Sequence, residues 1–133
     1  MQIHLHTLKS AEIALETAGI TSITGEFAGS PKNIGLIKKR DLESHDKFLR
    51  AGVTRTNIDS IIAEYHDRGV EPKPSMLIDS TSDIKNRIKK IDKTFGDTVS
   101  SWGPDCGLGS WPSQDVAETL LKRTTKAVRE SFK

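Results

Sequence analysis

Residues 2–27 have the sequence QIHLHTLKSAEIALETAGITSITGEF, which predicts a complete unit of strand, helix and strand. Its first five residues alternate polar and apolar side chains, as a β-strand does. A helix is predicted from about Ser10 to Ala18, where Gly19 is placed to end it, and a second strand is predicted over residues 20–27. Two strands joined by a helix favour a right-handed crossover and parallel pairing.

The same alternation of strands and helices continues along the rest of the chain. Further strands are predicted over residues 48–53 and 98–102, and a loop with a helical stretch through Leu36 and Ile37 follows the second strand. Four such units predict an α/β fold with a parallel sheet, about half of a TIM (β/α)8 barrel, in one partial barrel domain over residues 1–133. Apolar residues at helical spacing predict the three later helices, with the stripes Ile58, Ile61, Ile62 and Tyr65; Ile84, Ile88, Ile91 and Phe95; and Val116, Leu120, Leu121, Ala127 and Val128.

Each of these three helices is preceded by a residue suited to an N-terminal cap. Thr56 with Asp59, and Ser80 with Asp83, have the spacing of a capping box. Ser113 is placed to cap the last helix. The caps therefore predict where the three helices begin.

The composition is that of a globular domain and excludes a membrane-spanning chain. Hydrophobic residues make up 35% of the 133 residues and charged residues 29%, with no apolar run long enough for a bilayer. The first residues contain no basic segment that leads into an apolar one, so a cytoplasmic location is expected. The single cysteine, which cannot form an internal disulfide, agrees with a reducing compartment.

Two basic stretches require nucleic-acid binding to be considered. They are residues 38–40 and the set Lys85, Arg87, Lys89 and Lys90. Both stretches have acidic neighbours, and aromatic residues are only 5% of the chain, so no platform for stacking bases is apparent. We therefore expect solvated helix faces and no nucleic-acid partner.

Four side chains suited to zinc fall at the predicted strand ends. In a parallel α/β sheet the reactive residues gather at the carboxyl ends of the strands. His4 and His6 close the first strand on one face, Glu26 closes the second, and Cys106 follows the last. Two imidazoles, a carboxylate and a thiolate suit tetrahedral zinc. The residue types alone leave other interpretations open: polar positions of an exposed edge strand, a surface acid and a buried small residue.

Three segments resemble the catalytic C-terminal region of the cobalamin-independent methionine synthases. Residues 103–108, GPDCGL, followed by Trp111 and Pro112, resemble the cysteine loop of that family. The segment IHLH at residues 3–6 resembles its His-x-Cys strand. The segment ITGEFAGSPKN at residues 23–33 resembles its strand that ends in a glutamate ligand. The resemblance covers most of the chain.

The resemblance implies a zinc-dependent transfer of a methyl group to the sulfur of homocysteine, which forms methionine. His4, Glu26 and Cys106 match zinc ligands of the family residue by residue. His6 stands where the family usually has a second cysteine, so its role as a ligand is inferred from chemistry as well as position. Zn²⁺ is accordingly the expected cofactor.

Other residues near the cysteine are expected to support the metal site. Asp105 is expected to orient a ligand from outside the first coordination sphere, although a helix-turn role is an equal alternative. Gly107 and Gly109 would let the backbone approach the metal loop closely. His45 and His66 lie on helical patterns, are expected to be exposed, and are assigned no catalytic role.

The resemblance also implies that the chain works with other components. A family barrel has eight strands, so the earlier half, which would bind the amino-acid end of homocysteine and much of the methyl donor, is expected to be missing. A half barrel leaves open sheet edges and a bare apolar face. We therefore expect a partner chain or a missing N-terminal half. The donor is either a methylated folate or a methylated corrinoid protein, and the alternative is a noncatalytic zinc-binding fragment or accessory subunit.

Overall fold

Strands and helices alternate along the whole computed structural model, which describes the backbone of residues 2–5 and all of residues 7–133. The strands are β1 (Gln2–Leu5), β2 (Ser22–Glu26), β3 (Phe48–Thr54) and β4 (Val99–Pro104). The α-helices are α1 (Leu8–Glu16), α2 (Lys39–Ser44), α3 (Ile58–Asp67), α4 (Thr81–Phe95) and α5 (Gln114–Ser131). Short 3-10 segments occupy Pro31–Leu36, Pro74–Leu77 and Gly96–Thr98.

The four strands form one parallel sheet in the order β1-β2-β3-β4. The predicted α/β class with a parallel sheet is therefore confirmed. In the register of the sheet, Glu26 lies beside Gly52, and Gly52 lies beside Gly103. Earlier in β2, Thr24 lies beside the backbone of His4. Because all strands run the same way, the loops that follow them leave from one edge of the sheet.

The main hydrophobic core lies between one face of the sheet and the helices. Ile23 of β2 and Leu49, Ala51 and Val53 of β3 are fully buried against this core. The predicted stripe of α4 is confirmed, since Ile84, Ile88, Ile91 and Phe95 are all buried in the same cluster. Residues of α1, α2 and α5 join this cluster too, so these three helices and α4 cover the same face of the sheet.

A second hydrophobic cluster lies beyond the carboxyl end of the sheet. Its buried members are Ile58, Ile61, Leu77, Ile78, Trp111 and Leu120. The predicted stripes of α3 and α5 are therefore confirmed in part. Leu121 is the exception, because it is 46% exposed although its position in the helical pattern predicts burial.

Two of the three predicted helix caps are confirmed. The side chains of Ser80 and Ser113 accept hydrogen bonds from the backbone N–H groups of Asp83 and Val116. The predicted capping box at Thr56 is wrong, because α3 is preceded by Asn57. Thr56 is instead buried, and its carbonyl oxygen accepts a hydrogen bond from Trp111 Nε1 at 3.3 Å. Thr56 therefore takes part in a contact between distant segments of the chain and does not cap α3.

The other face of the sheet is polar. Successive side chains in a strand point to opposite faces, so Thr24, Arg50 and Ser101, which share one register row, lie opposite the core positions. Gly52 and Gly103 follow one row higher on this face. Phe48 occupies the first row of this face and is 47% exposed. Hydroxyl, guanidinium and glycine positions line the rows above it, so the expectation of a bare apolar face is wrong for the rest of the described strands.

Among the residues that the structure describes, none of the helices combines the length and the apolar composition that a bilayer crossing requires.

Replacing Phe95 by Ala tests the assignment of the core. Phe95 is fully buried, and its ring stacks on that of Phe27 with centroids 5.8 Å apart. We expect the free energy of unfolding, measured by urea denaturation, to fall by about 3–5 kcal/mol because a large cavity forms. The matched variant Phe48→Ala, whose wild-type side chain is exposed, should lose less than about 1 kcal/mol. Equal losses for the two variants would contradict this core.

Candidate functional site

Two of the residues assigned to zinc lie at the carboxyl edge of the sheet. Glu26 is the last residue of β2 and is half-buried. Cys106 lies two residues beyond the end of β4 and is exposed. Since β2 and β4 both pair with β3 in parallel, the loops that carry this carboxylate and this thiol leave from the same edge.

The carboxylate of Asp105 connects the loop after β2 with the loop after β4. It is buried and accepts hydrogen bonds from the backbone N–H groups of Ala28, at 3.2 Å, and Gly29, at 2.6 Å. The backbone N–H of Asp105 also donates to the carbonyl oxygen of Thr54, the last residue of β3, at 2.9 Å. One residue thus fixes the ends of three strands relative to one another. Asp105 therefore joins loops and does not have the alternative helix-turn role, whereas its predicted role toward a metal ligand stays a prediction.

Gly52 provides the space that the Asp105 side chain occupies. A Cβ atom at position 52 would lie 2.8 Å from Asp105 Cα and 2.9 Å from the carbonyl oxygen of Gly25, and closer still to Asp105 Oδ1. Backbone atoms cannot yield to such contacts as the end of a flexible side chain can. The glycine in the middle of this face is therefore required by the contact between the loops.

The environment of Asp105 also shifts its protonation. Burial raises the pKa of the Asp105 carboxyl to about 6. The backbone N–H groups of Gly29 and Ala28 lower this pKa, because they stabilise the charged form, and the nearby Glu26 carboxylate raises it. The electrostatic effect of Glu26 on Asp105 agrees with the placement of both carboxylates at one end of the sheet.

A buried ion-pair network holds the segment that follows β3. The Asp79 carboxylate accepts hydrogen bonds from Arg55 Nε at 2.9 Å and from Arg87 Nη1 at 2.5 Å. Burial by itself would raise the pKa of Asp79, but the backbone N–H of Arg55 and the two guanidinium groups outweigh it and lower this pKa. Arg87 also donates to the carbonyl oxygen of Val53 at 3.0 Å. The expectation of a solvated helix face is therefore wrong for Arg87, which points inward.

Arg50 lies on the polar face of the sheet, below the strand ends. Its Nη2 atom donates to the carbonyl oxygen of Pro104 at 3.1 Å, and the side chain is half-buried. Gly103 leaves room for the Arg50 side chain, because a Cβ atom at position 103 would lie 2.8 Å from Arg50 Nη2. Sequence reasoning missed Arg50, although strict alternation in β3 with Leu49 and Ala51 could have placed it opposite the core.

The remaining predicted residues have different outcomes. The backbone of His4 is described in β1, whereas its side chain and all of His6 lie outside the described residues. A Cβ atom added at Gly107 would have no heavy atom within 4 Å, so the space around this glycine is open. His45 and His66 are exposed, as expected. Within residues 7–133, for which side chains are described, no three His, Cys, Asp or Glu side chains are grouped closely enough to hold a metal ion.

Comparisons of the chain with protein-family models, curated proteins and solved structures find no match.

Replacing Gly52 by Ala tests whether the strand ends need this space. We expect the free energy of unfolding to fall by about 1–3 kcal/mol, because the new methyl group forces Asp105 and the backbone apart. Gly35→Ala is the matched control, since nothing lies within 4 Å of its added Cβ, and it should change stability by less than about 1 kcal/mol. Urea denaturation of both variants measures the difference. A Gly52→Ala protein as stable as wild type would argue against the packing.

Asp105→Asn tests the raised pKa in the metal-free protein. The folded protein has a pKa of about 6 at Asp105, above the usual value of 3.8, so it keeps this proton when the unfolded chain has already lost it. Rising pH between about 4 and 6 therefore lowers the stability of the wild type, and Asn removes this dependence. We measure the free energy of unfolding of the wild type minus that of Asp105→Asn. We expect this difference to be about 2 kcal/mol lower at pH 7.5 than at pH 4. A difference that is constant with pH would contradict the prediction.

Proposed function

We propose that this chain carries a zinc site that activates the thiol of homocysteine for methylation, with His4, His6, Glu26 and Cys106 as the ligands. The observation that carries the proposal is the contact of Asp105 with Ala28 and Gly29. This contact brings the loop that follows Glu26 against the residue that precedes Cys106, so the two segments that resemble the ligand segments of methionine synthases are neighbours in space.

The topology supports the same proposal. Parallel strands in the order of the chain, with helices on one face, are what half of a (β/α)8 barrel requires. A doubly wound sheet would reverse its strand order and carry helices on both faces. We infer that the four units form half of such a barrel, whose active sites lie at the carboxyl ends of the strands.

The donor set fits zinc in charge and in chemistry. Two neutral imidazoles, one carboxylate and one thiolate balance the charge of Zn²⁺, and each is a common zinc ligand. When bound, zinc would hold the homocysteine sulfur as a thiolate at neutral pH. An imidazole at position 6, in place of the family's second thiolate, leaves the metal less negatively surrounded and favours loss of the thiol proton.

The residues of this chain would position the reaction. Asp105 fixes the Cys106 loop against the strand ends, and the exposure of Cys106 leaves its surroundings open to a substrate. In the methyl transfer the sulfur–carbon bond forms while the bond between the methyl group and its donor breaks. The electron pair of the broken bond stays with the donor, and the thiol proton leaves before the attack.

Zinc titration of the purified chain tests the site. We expect one zinc ion per chain by equilibrium dialysis and metal analysis, and we expect the Glu26→Ala, Cys106→Ser double variant to lose most of it, because two of four ligands are gone. The matched control is His66→Ala, which removes an exposed imidazole on α3 that pairs with Glu71. Stoichiometric zinc in the double variant would discard this site.

A noncatalytic subunit that binds zinc and needs a partner chain is the second candidate. It is favoured by the open sheet, because in the described part of the chain β1 pairs only with β2 and β4 pairs only with β3. Free edges of this kind can accept the strands of another chain.

Methylation assays separate the two candidates. The zinc-loaded chain is incubated with homocysteine and either a methylated folate or a methylated corrinoid protein, and methionine is measured. Methionine formed with one donor identifies that donor and supports the enzyme. Bound zinc without methionine from either donor favours the noncatalytic subunit.

A further inference from the structure

Both outer edges of the sheet are free among the described residues. The first strand pairs only with β2, and the last pairs only with β3. Neither edge strand contains Lys, Arg, Asp or Glu, although a sheet edge that stays free is commonly protected by charged residues. All strands are parallel, and α1, α2, α4 and α5 lie on one face. The β4 edge can therefore accept a β1 edge with the same strand direction and the same helical face.

Exposed apolar side chains lie beside both edges. Leu8 and Ile13 belong to α1, the helix that follows β1, and both are exposed. Leu121 of α5 and Phe132, just beyond this helix, are exposed as well. Between β4 and α5 lies a groove of about 280 Å³ whose walls include Trp102 and Leu121. The first and last α-helices thus each present apolar surface that could be buried against another chain.

The first helix lies at the same depth along the sheet as the second half of α5. Ala11 and Ala14 of α1 and Ala127 of α5 are all buried in the main core. Leu120 of α5 belongs instead to the cluster beyond the carboxyl end of the sheet. Both helices follow a strand and run back along the parallel sheet. Pairing of β4 with β1 of another copy would therefore bring α1 of that copy beside residues 124–133.

The charges on the two helices are complementary at this depth. Glu12 and Glu16 of α1 are exposed and form no ion pair within the described part of the chain. Arg129 of α5 is likewise exposed and has no ion pair with a described residue, whereas its neighbour Lys126 has Glu130 one turn away. Two carboxylates on one helix and a guanidinium on the other would thus meet across the same contact.

We propose that two copies of this chain pair edge to edge, with β1 of each copy beside β4 of the other, and close an eight-stranded parallel barrel with two-fold symmetry. Four strands from each copy give the strand number of a (β/α)8 barrel, and the ring leaves no edge open. Closure would also cover Phe48, which is exposed on the polar face, because this face becomes the barrel interior. The proposal rests on the half barrel inferred under the proposed function, but it requires neither zinc nor methyl transfer.

The mass in solution tests the proposal. We expect the reduced, metal-free full chain to sediment at equilibrium as a dimer of about 29 kDa, twice the 14.7 kDa of one chain. Arg129→Glu should raise the dimer dissociation constant at least about tenfold, because it places a carboxylate beside Glu12 and Glu16 of the other copy. The Glu12→Arg, Glu16→Arg double variant should weaken the dimer in the same way. A wild-type chain that stays monomeric overturns the proposal and leaves its edges to a different chain.

Arg40→Glu is the matched control for these charge reversals. It makes the same change of charge on α2, at an exposed side chain away from both edges, and should leave the dissociation constant unchanged. Since all the replaced side chains are exposed, the circular dichroism spectrum of each variant should match that of the wild type. A dimer that the Arg129→Glu reversal does not weaken overturns the proposed pairing.

Mixing the two weakened variants tests which surfaces meet. In a mixed dimer the carboxylate introduced at position 129 meets the guanidinium groups introduced at positions 12 and 16, and the other contact is that of the wild type. We expect the equimolar mixture to recover the wild-type affinity within about threefold. Arg129→Glu mixed with wild type should recover it only in part, because one of the two contacts still repels. A mixture of the two variants that does not recover overturns the pairing of α1 with α5.

Hydrogen exchange distinguishes paired strands from a contact between helices alone. Amides in residues 2–5 and 99–104 should exchange at least about tenfold more slowly in the wild-type dimer than in monomeric Arg129→Glu, because outward N–H groups gain partners in the barrel. Equal exchange in these two segments overturns the barrel.

Zinc analysis of the same samples separates failure of this proposal from failure of the proposed function. A dimer that responds to the charge reversals but binds no zinc leaves the barrel standing, and the zinc function then fails. A chain that binds one zinc ion and stays monomeric overturns the barrel, while the zinc site stands.

Discussion

The buried carboxylate of Asp105 is the interaction on which the carboxyl end of the sheet depends. Its oxygens accept hydrogen bonds from two backbone N–H groups of the loop after β2. Its own backbone N–H donates a hydrogen bond to the carbonyl oxygen of Thr54 at the end of β3. Burying a carboxylate is unfavourable unless hydrogen bonds compensate it, and here the compensating donors belong to a segment distant in sequence. The geometry of the loops therefore follows from the need to satisfy this one group.

Glycines make this arrangement possible on the polar face of the sheet. Gly52 leaves space for Asp105, and Gly103 leaves space for Arg50. An acid and a guanidinium can thus lie over strand backbone at positions where barrels often place branched apolar side chains. The result is a face on which a carboxyl group and a guanidinium pack directly over glycine backbone close to the strand ends.

The sequence predicted the elements of the fold better than the contacts of the site. The helical spacing of Ile84, Ile88 and Ile91 depends on burial alone, and periodicity records burial directly. Leu121 departs from the predicted stripe because it lies on the exposed side of α5, whereas its neighbour Leu120 is fully buried in the second cluster. The contacts of Arg50 and Arg87 could not be predicted, since each depends on a backbone carbonyl of another element, and no local pattern encodes such a partner. The inferred zinc ligands remain a prediction.

The two tryptophans belong to different hydrophobic clusters. Trp102 packs against the main core, and its ring lies 5.4 Å from that of Phe132 just beyond α5, whereas Trp111 is buried in the second cluster and donates to Thr56. Because indole emission responds to its immediate surroundings, single-tryptophan versions of the chain would give two separate optical signals. Trp102 would report whether the end of the last helix is docked, and Trp111 would report the order of the region above the strand ends. Loosening of the region around the cysteine loop could then be followed without unfolding the sheet.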